Sequence, residues 1–315
     1  MKDRTRSLAS IICMGLIILT LLTTGCTQKD EAQSIGMAVE FNDHAACAYV
    51  AKENNWYEDE GINLTTYESY ATGMQLTSAL ARGDIQVAYI CLSPAILAYS
   101  RGVPLVIVAG SHKHGYGLVV SPDITNISDL NGATIGCVRE GGMVDILLNR
   151  MIREYDLKDV QIQRMEPLKQ VIALETGRID AAFLPEHHAT AAETNGFHML
   201  ITSHELWDDV QGSVLIVKRE LIDDDSETVK KLVLVTQRAT DRINDDPDEA
   251  AAVLAEELDT ELDIIKKSMG RLNYTTQIDA ESVQEMIDFM VELGYIEEGM
   301  KAEDMLDTTF LGEDV

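Results

Sequence analysis

From residue 35 onward the chain alternates between short apolar runs and amphipathic stretches. Ile35-Gly36-Met37-Ala38-Val39 predicts a strand, Ala45 to Asn54 carries a helical period, and Ile62 to Tyr67 alternates like a strand after the break at Gly61. Gly73 to Arg82 predicts a helix stopped by Gly83, Ile85 to Ile90 a strand, Pro94 to Ser100 a helix and Val103 to Ala109 a strand. A second series starts near Pro122, with a strand over Ala133 to Val138, the turn Gly141-Gly142 and an amphipathic helix ending at Tyr155. A strand over Val160 to Met165, a helix over Lys169 to Thr176 and a strand over Ile179 to Leu184 complete it, closing on Pro185-Glu186. Val214 to Val217 predicts a strand returning to the first series, and Ser226 to about Leu293 is helical and acidic, with a boundary at Asn244-Asp245-Asp246-Pro247. Strands alternating with helices of this length predict an α/β fold of mainly parallel sheets flanked by helices. Two interleaved lobes of this kind, joined by crossing strands, make a cleft.

The first twenty-six residues follow a different rule. Lys2, Arg4 and Arg6 precede an apolar run from Leu8 to Leu22, which breaks at Thr23-Thr24-Gly25-Cys26. A cationic start, a run short for a membrane span and a small residue before the cysteine describe an export signal. The cysteine after Gly25 resembles a lipoprotein box, although Thr23 stands where leucine is commonest. The expected organisation is therefore a signal over 1–25, a tether over 26–34 lipidated at Cys26, one lobe from 35–117 with 208–315, and a second lobe from 118–207.

Charge narrows the partners. The chain has 53 acidic and 25 basic residues, a net charge of −28. Cleavage before Cys26 removes Lys2, Arg4, Arg6 and Asp3 and leaves 22 basic and 52 acidic residues, a net charge of −30. Such a surface repels nucleic acid, so no nucleic-acid partner is expected. Beyond Cys13 and Cys26 the cysteines are Cys47, Cys91 and Cys137, an odd number without C-x-x-C spacing. They predict buried thiols rather than a disulfide framework or a zinc site.

Four phrases, in order, carry a resemblance: "AYVAKENNWYEDEGINL", "ALARGDIQVAYI", "SDLNGATIGCV" and "ALETGRIDAAFLPE". They resemble the extracytoplasmic solute-binding proteins of ABC importers, in the branch for nitrate, sulfonate, taurine and thiamine-pyrimidine precursors. The resemblance runs from about Ile35 to Val217. It implies a periplasmic-binding-protein-like (type II) fold of two lobes, a small-molecule solute held between them, a permease with its ATPase as partner, a monomer and no cofactor. The solute loops it implies are Asn42-Asp43-His44, Tyr70 to Met74, Cys91-Leu92-Ser93, Ser111 to Tyr116, Arg139 to Met143 and Glu186-His187-His188.

Within those loops the residues themselves suggest roles. Thr72-Gly73 and Gly141-Gly142 each lie between a strand and a helix, where backbone N–H groups favour an anion or a polar oxygen. Asp43 is the expected cap of the first helix and His44 a cleft residue or a satisfied surface group. At least one of Tyr49, Tyr89 and Tyr116 is expected in the cleft. Arg139 suits a carboxylate or sulfonate if it points inward and Glu140 a donor or positive group, and a solvent-facing pair is the other reading. Ser93, His114, Glu186 and His187 complete the candidate set. The histidine clusters carry no metal-binding spacing, and no nucleophile elbow, phosphate loop or metalloprotease motif is present, so neither a metal nor catalysis is expected. Other readings are an enzyme like the pyrimidine-forming synthases, which resemble these binders but carry a cysteine-rich run, and a metal-binding or sensory ectodomain.

Overall fold

A computed structural model describes residues 34–312. The export signal, the Cys26 box and the tether lie outside the described residues. No helix among those described is long and apolar enough to cross a membrane.

Among the described residues, eleven strands form two sheets. The first contains β1 (Ser34–Glu40), β2 (Asn63–Tyr70), β3 (Val87–Cys91), β4 (Leu105–His114), β10 (Gln211–Lys218) and β11 (Leu272–Tyr274), in the order β11-β4-β10-β3-β1-β2. The second contains β5 (Tyr116–Val120), β6 (Thr134–Cys137), β7 (Gln161–Arg164), β8 (Ala181–Pro185) and β9 (His198–Thr202), in the order β7-β6-β8-β5-β9. The longer helices are α1 (Ala46–Glu53), α2 (Gly73–Arg82), α3 (Leu92–Ser100), α4 (Met143–Glu154), α5 (Pro167–Glu175), α6 (Glu186–Thr194), α7 (Arg219–Asp245, kinked at Asp225), α8 (Pro247–Glu257), α9 (Leu262–Met269) and α10 (Ala280–Glu292).

Both sheets are mixed: β10 and the short edge strand β11 are reversed in the first, and β5 is reversed in the second. β1 pairs in parallel with β2 and β3, while β10 runs antiparallel between β3 and β4. In the second sheet β6 pairs in parallel with β7 and β8, while β5 runs antiparallel between β8 and β9. Apart from the short edge strand β11, strands that follow a helical crossover share a direction. β5 leaves the first sheet with only Gly115 between it and β4, and β10 comes back from the second, so each enters reversed.

The expected loop from Ser111 to Tyr116 is mostly strand. β4 extends to His114 because residues 112–114 pair with β11, and β5 begins at Tyr116. No turn residue other than Gly115 marks the junction, so the pattern gave no sign of β5.

Burial follows strand position. Every residue of β3 and β5 is buried, whereas the edge strands β2 and β7 stay largely open. One apolar cluster runs from Leu76 and Ile90 through Leu92 and Leu97 to Met143, Leu147 and Phe183, so the two sheets share packing across the cleft. A second lies on the other face of the first sheet, where Tyr49 and Val50 of α1 meet Val233 of α7 and Leu254 of α8. The acidic helical tail thus buries Ala250, Ala251 and Leu254 as a packing layer and keeps its carboxylates in water.

Candidate functional site

The cleft is built from strand ends. β1 ends at Glu40, β3 at Cys91, β6 at Cys137 and β8 at Pro185, and β5 starts at Tyr116. In open α/β sheets the turns beyond the carboxyl ends enclose the ligand crevice. Here a small inner chamber, open to solvent on one side, is lined by Glu40, Thr72, Gly73, Cys91, Tyr116 and Gly142, with Met143, Pro167 and Pro185 among its other walls. It opens past Thr72, Met74 and Val138 into an outer space of about 800 Å³ bordered by Arg139, Arg164, Glu166 and Lys169.

Helices α2 and α4 both begin at the chamber. Thr72 is the extended residue before α2, and its Oγ1 accepts the Gln75 N–H at 3.4 Å. Gly73 has to be a glycine, because a Cβ there would lie 2.6 Å from Glu40 Oε1 and 2.8 Å from Pro94 Cγ. On the opposite wall Gly141 takes φ +81°, and a Cβ would lie 2.7 Å from Leu97 Cδ2.

Of the amides in this turn, where those after Gly141 are expected to face a solute, the Gly141 and Gly142 amides are already engaged. Gly141 N–H donates to Asp145 Oδ2 at 3.0 Å, and Gly142 N–H donates to Arg139 O at 3.1 Å. Asp145, three residues into α4, folds back over its own loop, as an acid at that position of a helix does. The first-turn amides of Met74, Met143 and Val144 remain the ones that a helix leaves without an intrahelical acceptor.

Sequence reasoning missed Glu40. This residue is 5% exposed, and its Oε1 accepts the Cys91 N–H at 2.7 Å. Burial raises its pKa above the ordinary carboxyl value, while bonds from Cys91, Gly73 and Asn42 pull it back. The available signal was a lone carboxylate ending an apolar strand. Of the three tyrosines, Tyr116 lines the chamber, with its hydroxyl 3.0 Å from Cys91 Sγ. Tyr49 and Tyr89 are core residues, the latter bonded to Thr236 at 2.7 Å.

Several candidates stand outside the chamber. His44 is buried behind it, its Nε2 2.7 Å from Gly115 O and its ring packed on His112 and Tyr116. Burial drives its pKa down to about 4 despite the opposing pull of Asp43 and the Gly115 bond, so the ring is neutral at pH 7. Asn42, not Asp43, caps the turn, accepting the His44 N–H at 3.1 Å. Asp43 instead turns inward to His187 Nδ1 at 3.3 Å. Burial works to raise its pKa, but the His187 bond and the nearby imidazoles win and hold it well below the carboxylate range.

Glu186 is also sequestered: Arg271 reaches its Oε1 at 2.7 Å and Thr190 Oγ1 at 3.1 Å bonds the same atom. His114 lines another cavity, which Tyr116 and Glu186 also border, and its Nε2 lies 3.3 Å from His204 Nδ1. Ser93 serves as a bridge, its Oγ donating to Gly141 O across the sheets at 3.1 Å. Gln75 Nε2 donates to Glu166 Oε1 at 2.8 Å near the mouth. Arg139 borders the outer space, whereas Glu140 is exposed with Oε1 4.0 Å from Arg164. Cys47, Cys91 and Cys137 are free buried thiols. Among the described residues no group of three or more His, Cys, Asp or Glu side chains is arranged to hold a metal ion.

A sequence model of the family described as NMT1/THI5 like matches residues 42–250. The chain belongs to that family. It is 26% identical over 217 residues to the taurine-binding periplasmic protein of Escherichia coli (strain K12), a match covering 67% of each chain. Among solved structures, the periplasmic aliphatic sulphonate binding protein SsuA from Escherichia coli superposes with a TM-score of 0.76 at 19% identity, covering 87% of this chain and 92% of that one. The periplasmic nitrate-binding protein NrtA from Synechocystis PCC 6803 gives 0.78 at 14% identity, covering 89% and 87%. These likenesses give the family member the two-lobed periplasmic-binding-protein fold. Its chamber lies where that fold's strand ends converge.

Proposed function

We propose that this protein is the solute-binding component of an ABC-type importer, taking a small organic or oxyanionic solute into the interlobe chamber and delivering it to a membrane permease. The observation that carries the reading is the chamber itself, walled by the strand ends of both sheets and faced by the first turns of α2 and α4. The relatives named for taurine, sulphonate and nitrate binding support the class of solute. On this reading the lobes are 35–117 with 208–315 and 118–207. The protein works as a monomer outside the cytoplasm, tethered through Cys26, and performs no chemistry of its own. Capture proceeds by closure of the lobes about the crossing strands, with Ser93 to Gly141 and Gln75 to Glu166 as closing contacts.

The test is a thermal-shift screen of the chain lacking its first 26 residues, since the described fold begins only at Ser34. Sulfonates, nitrate, amino acids and aminopyrimidines form the panel. A true solute stabilises the folded state by about 2.7 kcal/mol at a hundredfold excess over its dissociation constant. Thr72→Val or Tyr116→Phe should reduce the shift. A folded protein that responds to no member, or a hit indifferent to both substitutions, removes the reading.

A further inference from the structure

Glu40 is the one carboxylate lining the inner chamber, and no arginine, lysine or histidine lines it among the described residues. The carboxyl is held in place by the Cys91 amide and sits tight against Gly73, but neither contact brings a positive charge. Its pKa is raised by burial, and no cation of the chain is among the groups that offset the rise. A buried carboxylate without a counter-charge is costly, and a ligand that supplies one recovers that cost in a water-poor site. Outside, the charge changes sign. Arg139 is exposed at the outer space and has no ion pair among the described residues, and Arg164 and Lys169 stand beside it. Arg164 is engaged by Asp145 and Lys169 by Glu166, so Arg139 is the cation left for a solute.

We infer that the chamber selects a small zwitterion, with its protonated amine against Glu40 and its acidic group toward Arg139, and that Glu40 rejects bare oxyanions. The inference rests on the solute-binding reading above and narrows it. An anion placed alone in the chamber meets a carboxylate at close range and must either force a proton onto it or bear the repulsion. A zwitterion meets opposite charges at both ends. Shape alone does not give this order, because both helix first turns favour an anion and the Glu40 carboxylate opposes one.

Calorimetric titration with paired probes tests it. Taurine and β-alanine carry both groups, isethionate and propionate keep the acid without the amine, and nitrate and 4-amino-2-methylpyrimidine complete the set. At least one zwitterion should bind at least about tenfold more tightly than its amine-free partner and nitrate. Glu40→Gln keeps an acceptor for the Cys91 N–H, and the melting temperature of the empty variant shows that it is folded before binding is compared. The same variant should weaken the zwitterion at least about tenfold. Nitrate or isethionate binding as tightly, unchanged in Glu40→Gln, overturns the inference and leaves the solute-binding reading standing. Binding of the aminopyrimidine alone overturns it in favour of a head that only donates. Silence from both zwitterions also overturns it, and silence from the whole wider panel removes the solute-binding reading as well.

Discussion

His44 shows what burial does to a single residue here. Its ring is 1% exposed and faces Asp43, His112, His187, Cys91 and Tyr116, so charging it means placing a cation where little solvates it. The folded pKa of about 4 lies below the ordinary 6.5, so the unfolded chain binds the extra proton first. The stability it contributes is present above about pH 6.5 and is lost as pH falls toward 4, on the order of 3 kcal/mol across that window. Asp43, with its depressed pKa, adds a loss at lower pH, whereas Glu40 and Glu186, both raised, oppose it by stabilising the fold as they protonate. Melting temperatures of the parent and His44→Gln between pH 7 and pH 4.5 should therefore converge on acidification, and parallel curves would refute the assignment. The sequence placed this histidine at a strand end but could not show its burial, because Gly115, His112 and Tyr116 reach it from far along the chain.

At the scale of an element, the loop from Arg139 to Gly142 sets where α4 points its first turn. Gly141 lies in the left-handed region, and Asp145 and Ser93 hold its amide and carbonyl. Gly141→Ala should cost about 1–2 kcal/mol, from the φ penalty plus displacement of Leu97. Gly61→Ala is the control, since that glycine also has positive φ but nothing within 4 Å of an added Cβ. Denaturant titrations of both should show the larger loss at Gly141, and only that variant should also weaken solute capture. Equal costs with unaltered binding would mean that the loop does not position α4. Glycine-glycine between strand and helix made this turn legible. The loss of the Gly141 amide to Asp145 was not, because capping back from the third helical position depends on a side-chain rotamer.

For the whole molecule, the C-terminal segment ties the second sheet to the first. Arg271 pairs with Glu186 at 2.7 Å and Glu193 at 2.9 Å, and Lys267 joins Glu193 at 2.9 Å, so α9 and the turn after it grip α6. The Glu186 side chain is 1% exposed and that of Arg271 27%. Arg271→Leu should destabilise the fold by about 2–4 kcal/mol, below the full penalty for a wholly buried pair because the guanidinium keeps some water. Adding Glu186→Leu should recover most of it in a double-mutant cycle. If the two losses simply add, the pair is not the clasp described.

What the sequence by itself determined was local. The 2- and 3.6-residue periods placed β1 to β3, α2, α4 and the helical tail, because each element buries one face and carries its own stop signals. Thr72 and Gly73 were legible for the same reason, since a helix start is written in adjacent residues. Tertiary structure alone decided which carboxylates are free and which are spent. Glu186 looked available until Arg271, 85 residues away, neutralised it, whereas Glu40 gave no sign at the end of its strand and is buried against Cys91 and Gly73 at the chamber wall. It also decided strand direction, since β5 and β10 are reversed only because the chain crosses between sheets there. Periodicity reports which side of an element is dry, but not which distant charge comes to lie against it, and the chemistry of this chamber depends on that second fact.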